Sequence, residues 1–237
     1  MIFARPIVEL QPFVQYIWYA ASNQDSSYQQ LPDGAVDLVV EMISGQHQAC
    51  WYGTSTCAEW LPVRAGADYL GVRFWPGQSR HFHSISAAEL TNSVQFQQLV
   101  PGFQLQPATM LNPVIQVQQQ LLAYLQQHPP KRHWLDPVLA TFQQPRQQYR
   151  ILQLAELAGK STRQLERQCK LQTGVSLKLL ASIRRFQYAR DLLLQGESAV
   201  VVALEAGYYD QSHFSHAFKR FCGQNPGSMS FFSKKDN

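Results

Sequence analysis

The chain has 237 residues, 45% of them hydrophobic, and a net charge of +4, which is room for one large or two small domains, each with its own core. Its start, Met1-Ile2-Phe3-Ala4-Arg5-Pro6, lacks the apolar run and cleavage site of a signal peptide, and no apolar stretch reaches the roughly 18 residues of a membrane helix, so a cytoplasmic protein off the membrane is expected. Cys50, Cys57, Cys169 and Cys222 do not space like metal ligands, and reduced thiols with no metal and no cofactor are expected. The charge is uneven: −4 over residues 1–130 and +8 over residues 131–237. A basic half joined to an acidic half is the footprint of a nucleic-acid module attached to something with another task.

Residues 1 to about 104 read as β-rich. Pro12 to Tyr19 reads as a turn of helix passing into a strand. Val36 to Ile43, with Gly34 before and Gly45 after, reads as a largely buried strand. Tyr69 to Phe74 alternates and is stopped by Pro76-Gly77. From Pro113 to His128 the period becomes helical, with Ile115, Leu122 and Leu125 near one face and Val114, Val117 and Leu121 beside them. Such a helix either caps the β domain's core or pairs with its copy in a homodimer. Pro129-Pro130-Lys131-Arg132 is the domain boundary, giving domains 1–130 and 131–237. Beyond it helices are expected near 134–143, 151–158, 161–172, 176–195, 199–206, 210–222 and 226–232.

Two of these helix pairs have the same grammar: a short apolar helix, a turn with Gly, a capping residue and a second amphipathic helix. That is the pattern of a helix-turn-helix, which places its second helix in the DNA major groove. In the first pair Leu154, Ala155 and Leu157 pack the leading helix. Ser161 caps the next, with Gln164 as capping-box partner. Thr162, Arg163, Glu166 and Arg167 then fall on the outward face, where Arg suits guanine and Glu suits cytosine. In the second pair Val202, Ala203 and Ala206 pack, Asp210 caps, and Phe214 and Phe218 point inward. Gln211, Ser212, Ser215 and His216 point outward as base-contact candidates. Lys170, Lys219 and Arg220 lie further along, where phosphates are the partners. Ser176 to Gln195 joins the pairs. Its length of roughly 30 Å is close to the roughly 34 Å of a DNA turn. Arg184, Arg185 and Arg190 on it are candidates for phosphate contacts or salt bridges.

The run from Ala203 to Pro226, Ala-x3-Gly-Tyr-x2-Gln-Ser-x-Phe-Ser-x2-Phe-Lys-x3-Gly-x2-Pro, resembles the signature of the AraC/XylS class of bacterial transcription regulators. The resemblance covers roughly residues 134–232. It implies an all-α domain with two helix-turn-helices joined by a long helix, double-stranded DNA as partner, and activation through contact with RNA polymerase as the default over repression. Tyr208 stands where Phe is usual, Cys169 where Phe is frequent and His216 where Arg is frequent. The N-terminal motifs Leu31-Pro32-Asp33-Gly34 with Asp37-Leu38-Val39, and Gly71-Val72-Arg73-Phe74 with Pro76-Gly77, are similar to the β-rich domain of one branch of these regulators. They imply a barrel or jelly-roll-like sheet that senses a small-molecule effector or dimerises. The expected class is therefore α+β, a β-rich domain followed by the double helix-turn-helix domain.

Other residues suggest other chemistry. Trp18, Trp51, Tyr52, Arg73 and Trp75 are candidates for a pocket taking an aromatic or anionic ligand, with core packing as the commoner use of such residues. His81-x-His83 followed by Glu89 suggests a metal-dependent cupin-like enzyme, with both His on one strand face. Its spacing is loose, and surface or rim histidines are preferred. Cys50 and Cys57 suggest a cysteine-based damage sensor, but no cation neighbours either. No catalytic residue and no enzymatic activity are assigned.

Overall fold

The computed structural model describes residues 1–96, 112–145 and 148–229. The first half is antiparallel β structure in two sheets. A six-stranded sheet runs β1-β2-β7-β4-β5-β8, and a two-stranded ribbon pairs β3 with β6. The strands are β1 (Ile2–Ala4), β2 (Val14–Ala21), β3 (Ser26–Gln30), β4 (Val36–Ile43), β5 (Gln46–Tyr52), β6 (Glu59–Val63), β7 (Asp68–Phe74) and β8 (Val94–Gln95). A 3-10 turn at Val8–Leu10 precedes β2, so the region from Pro12 begins as a turn and becomes a strand, as expected.

Side chains alternate across a strand, and the register divides the sheet into two unlike faces. Tyr16 pairs with Arg73, which pairs with Asp37, which pairs with Tyr52. That row is polar and aromatic. The next row, Ile17, Val72, Leu38 and Trp51, is buried in the domain's core with Leu70, Val40 and Phe74.

Helix α2 (Pro113–Gln127) seals that core. Asn112 caps it by accepting from the Ile115 amide, and Pro113 sits in its first turn. Val117, Leu121 and Leu125 face the sheet. The expected stripe is rotated by part of a turn: Ile115 is exposed and Leu122 half-buried. The described contacts thus use this helix as a cap on its own domain. A short helix α1 (Ala87–Leu90), with a Ser86/Glu89 capping box, lies on the other domain's side.

The second half is helical: α3 (Asp136–Ala140), α4 (Ile151–Ala158), α5 (Thr162–Thr173), α6 (Leu177–Leu194), α7 (Ala199–Glu205) and α8 (Gln211–Cys222). A 3-10 turn at Pro226–Met229 stands at the start of the helix expected near 226–232, and the rest of that segment lies outside the described residues. Two separate cores form. One gathers Phe142, Leu154, Leu165 and Cys169; the other gathers Val202, Phe214, Phe218 and Phe221. α6 belongs to both. Leu177, Leu180 and Ala181 sit in the first core, and Ile183, Phe186, Ala189 and Leu192 in the second. A helix that must serve two cores on different sides cannot carry one clean apolar stripe.

The two halves touch along α6 and α5. Arg184 on α6 donates to the Asp33 carbonyl at 3.2 Å and to the Gln143 carbonyl at 3.2 Å. Gln187, three residues on, donates to the Pro32 carbonyl. Leu180, one turn earlier, lies so close to Gly34 that a Cβ there would come within 2.5 Å of its methyl. The loop before β4 is thus seated on the helix that joins the two cores.

Candidate DNA interface

Each helix pair is built by the same local devices. α4 ends at Gly159 in the left-handed conformation, φ 59°, which Gly adopts without strain. Ser161 then accepts from the Gln164 amide while Gln164 returns to the Ser161 amide, so the first turn of α5 is closed by the expected capping box. In the second pair Gly207 has φ 70°, and Asp210 accepts from the His213 amide at 2.7 Å to start α8. Behind the reading helices, Leu165 and Cys169 of α5 and Phe214 and Phe218 of α8 are fully buried. Burial pushes the Cys169 thiol up to about 12, so it packs as a small apolar group.

The outward face follows from that packing. Thr162, Arg163, Arg167 and Lys170 are exposed on α5, and Gln211, Ser212, His216, Lys219 and Arg220 on α8. Neither Arg163, Arg167 nor Lys170 is engaged in an ion pair among the described residues. Unengaged cations on the reading helices are what a phosphate-lined groove requires. Ser215 is half-buried and sits at the edge of this face.

Two expectations about this half are corrected. Glu166 does not stand free for a base: its carboxylate accepts from the Leu177 amide at 2.9 Å, satisfying a donor at the start of α6. Leu157 does not pack the leading helix; it is 54% exposed, and Leu154 and Ala155, with Ile151 and Ala158 beside them, carry that contact. Of the two uses expected for the Arg residues of the joining helix, a salt bridge is found at Arg190. Arg184 is buried against the loop described above, Arg185 donates to the Gly207 carbonyl and lies over the Tyr208 ring at 5.3 Å, and Arg190 pairs with Asp191. Arg185 therefore braces the second turn, a role the periodic pattern could not reveal. Tyr209, 92% exposed immediately before α8, was also missed. Its only signal is an aromatic residue in a turn whose neighbour, Tyr208, is buried.

The N-terminal pocket candidates do not come together. Trp18, Tyr52 and Arg73 share the polar face, but Trp51 lies on the opposite face, in the core, 5.6 Å from Phe74 and 4.5 Å from His83 between ring centres. Trp75 lies past the end of β7 and donates its indole N–H to the Gln11 carbonyl at 3.1 Å. Trp18 covers Gly71, where a Cβ would come within 1.9 Å of the indole. Arg73 is already engaged: its Nε and Nη2 hold Asp37, and its Nη1 holds Asp33.

The metal constellation also separates. His81 lies in a 3-10 turn, not on a strand, and meets Phe13 edge-on at 5.4 Å. His83 packs on Trp51, and Glu89 is spent on the Ser86 cap. No group of three or more metal-ligating side chains stands together among the described residues. Cys50 is buried, and burial raises its thiol; Cys57 is exposed. No helix among the described residues is long and apolar enough to cross a membrane.

Comparisons with known proteins find similarity in both halves of the chain. A helix-turn-helix domain family matches residues 154–230, and a domain of unknown function, DUF6597, matches residues 3–95. An uncharacterized HTH-type transcriptional regulator of Haemophilus influenzae is 36% identical over 90 residues, which is 38% of this chain and 30% of that protein. The virulence regulon transcriptional activator VirF of Yersinia enterocolitica is 41% identical over 54 residues, 22% of this chain and 20% of that protein. The chain thus spans less than a third of the length of these curated relatives. Among solved structures, an AraC-type regulator from Chromobacterium violaceum is 27% identical with a TM-score of 0.36, covering 38% of this chain and 80% of that one. ToxT of Vibrio cholerae is 11% identical with a TM-score of 0.47, covering 92% of this chain and 98% of that one. The helical half is thus similar to the helix-turn-helix domain of known transcriptional regulators.

Proposed function

We propose that this chain is a cytoplasmic, sequence-specific transcription regulator that binds double-stranded DNA through α5 and α8, with no enzymatic activity. The observation that carries this is the pairing of two capped helix-turn-helices on one shared helix, α5 exposing Arg163 and Arg167 and α8 exposing Gln211 and Ser212 from their first turns. α6 has 18 residues, about 27 Å at ~1.5 Å per residue, a length suited to placing two reading helices in successive windows of the major groove. Residues 1–130 supply sensing or dimerisation. Activation through RNA polymerase is the direction that the class favours.

Arg163 and Arg167 are the leading base readers, and Gln211, Ser212 and His216 form a more permissive second reader. Lys170, Lys219 and Arg220 supply phosphate contacts. The test is genome-wide mapping of binding sites, followed by affinity measurement on the strongest site and on random duplex at fixed salt. Arg167→Ala is expected to lose about 1–3 kcal/mol on the specific site and to relax preference at one base pair. Unchanged affinity for both duplexes overturns the assignment of Arg167.

A further inference from the structure

Among the described residues, the two cores of the helical half share α6 and no other element. α5 belongs to the first core and α8 to the second. One helix is a slender joint. Helices curve, and a small bend midway along one is amplified at its ends. Joined through α6 alone, the two readers would be free to change their mutual angle.

The β domain supplies a second connection. At the first reader, Gly174 ends α5 with φ 79°, and a Cβ there would run into the Thr91 hydroxyl and the Ala87 carbonyl of α1 and its cap. A Cβ on Gly77, just past β7, would meet the Gln172 carbonyl of α5 at 3.3 Å. The end of α5 is thus seated against two segments of the β domain. α1 is itself tied to the sheet, since the Gly53 amide after β5 donates to the Ser93 carbonyl at 3.0 Å.

At the second reader, Gln29 of β3 donates its side-chain amide to the Cys222 carbonyl at 3.2 Å. That carbonyl lies in the last turn of α8, where helix carbonyls lack intrahelical partners. Two residues on, Leu31 packs against the second core. The chain then runs along α6, where Gln187 donates to the Pro32 carbonyl and Arg184 to the Asp33 carbonyl. Val36 of β4 pairs with Phe74 of β7. The segment that reaches α8 and the segment that reaches α5 therefore meet the sheet side by side.

We propose that the β domain is a brace that fixes the separation and mutual rotation of α5 and α8, with Gln29 and Leu31 as its positioning residues on α8. The chain then selects DNA by the spacing between two half-sites as well as by their bases, a consequence that rests on the regulator reading above. One added base pair moves the second half-site by about 3.4 Å and turns it by about 35° around the DNA axis. Readers on one bending helix can follow part of that displacement. Readers also tied through the sheet cannot.

The brace is tested first without DNA. Spin labels are attached to the full chain through Lys170→Cys and Lys219→Cys, with the exposed Cys57 changed to Ser, and their separation is measured by pulsed electron resonance. One narrow distance is expected. Gln29→Glu, which keeps the side chain's size and removes its donor, and Leu31→Ala are each expected to broaden or shift it. Gln29→Glu carries the test if Leu31→Ala does not fold. An unchanged distance distribution overturns the brace. The second test uses the unlabelled chain on the mapped site at fixed salt, with one base pair added or removed between the half-sites. Affinity is expected to fall about tenfold or more, as the loss of one or two base contacts would give. Gln29→Glu is expected to shrink that spacing penalty about threefold or more, with base preference within each half-site kept. An equal spacing penalty in both chains, or a uniform loss on every duplex, overturns the positioning role of Gln29. Absence of specific DNA binding overturns the regulator reading alone, and the distance measurement still decides the brace.

Discussion

Glu166 illustrates what a single residue's position in a periodic pattern can and cannot say. The spacing puts it on the outward face beside Arg163 and Arg167, and that much holds. Its carboxylate nevertheless turns to the start of α6 and bonds the Leu177 amide, because a helix start leaves amides without partners. Glu166→Ala is expected to cost about 1 kcal/mol of stability, Glu166→Gln less, with base preference unchanged in both. Denaturation midpoints and binding to single-base variants of the site check this; altered base preference at full stability would return Glu166 to the readers. His83 gives a pH prediction. Its folded value of about 4 lies below the ordinary 6.5, so the unfolded chain binds more protons between those values. Stability is then greatest above about pH 6.5 and falls as pH drops toward 4. His81 adds to the same slope, lowered by burial and by Arg80 against the opposing pull of Asp136. His83→Phe is expected to flatten the stability profile in this window without removing the His81 share. An unchanged slope would count against a buried neutral His83.

At the scale of elements, the caps were legible and the packing faces less so. Ser161 and Asp210 each accept from an amide in the first turn of the following helix, as residues of their kind do before an apolar run. The faces of α2 and α6 were harder. α2 carries apolar residues on more than one side, and only the sheet decides that Val117, Leu121 and Leu125 go inward. α6 carries Arg184 and Gln187 in buried positions, which no period marks as inward. Two helix-ending glycines separate backbone from packing effects. Gly159→Ala, with open space around the new Cβ, is expected to cost about 1–2 kcal/mol for the left-handed backbone alone. Gly174→Ala meets Thr91 and the Ala87 carbonyl as well, and is expected to cost clearly more. Guanidinium midpoints compare the two, and equal losses would mean that the α1–α5 contact is not tight in solution.

For the whole molecule, the question is how the β domain is joined to the readers. Arg184 is 4% exposed, and among the described residues it holds backbone carbonyls and no carboxylate. Burial accordingly lowers its guanidinium below the usual Arg value. Asp33 ties this contact to the sheet. Its backbone carbonyl receives Arg184, one side-chain oxygen accepts from the Ala35 amide, and the other pairs with Arg73. Arg184→Met is expected to release this loop from α6. Hydrogen exchange over residues 30–35 should then rise about tenfold for each 1.4 kcal/mol of lost docking, while α8 stays protected. Exchange that rises everywhere together would mean that Arg184 holds its own domain and not the junction.

The sequence by itself determined the helix-turn-helix pairs, their caps and the strand from Val36 to Ile43. All of these rest on local turn chemistry, hydrophobic period and one specific signature, which are properties of neighbours along the chain. The tertiary structure alone decided which outward residues are free. It engaged Glu166, Arg184, Arg185 and Arg73, sent Trp51 to the opposite face from Trp18, and packed His83 on Trp51. The physical reason is that a side chain's availability depends on donors and acceptors far away in sequence, and only folding brings them within bonding distance.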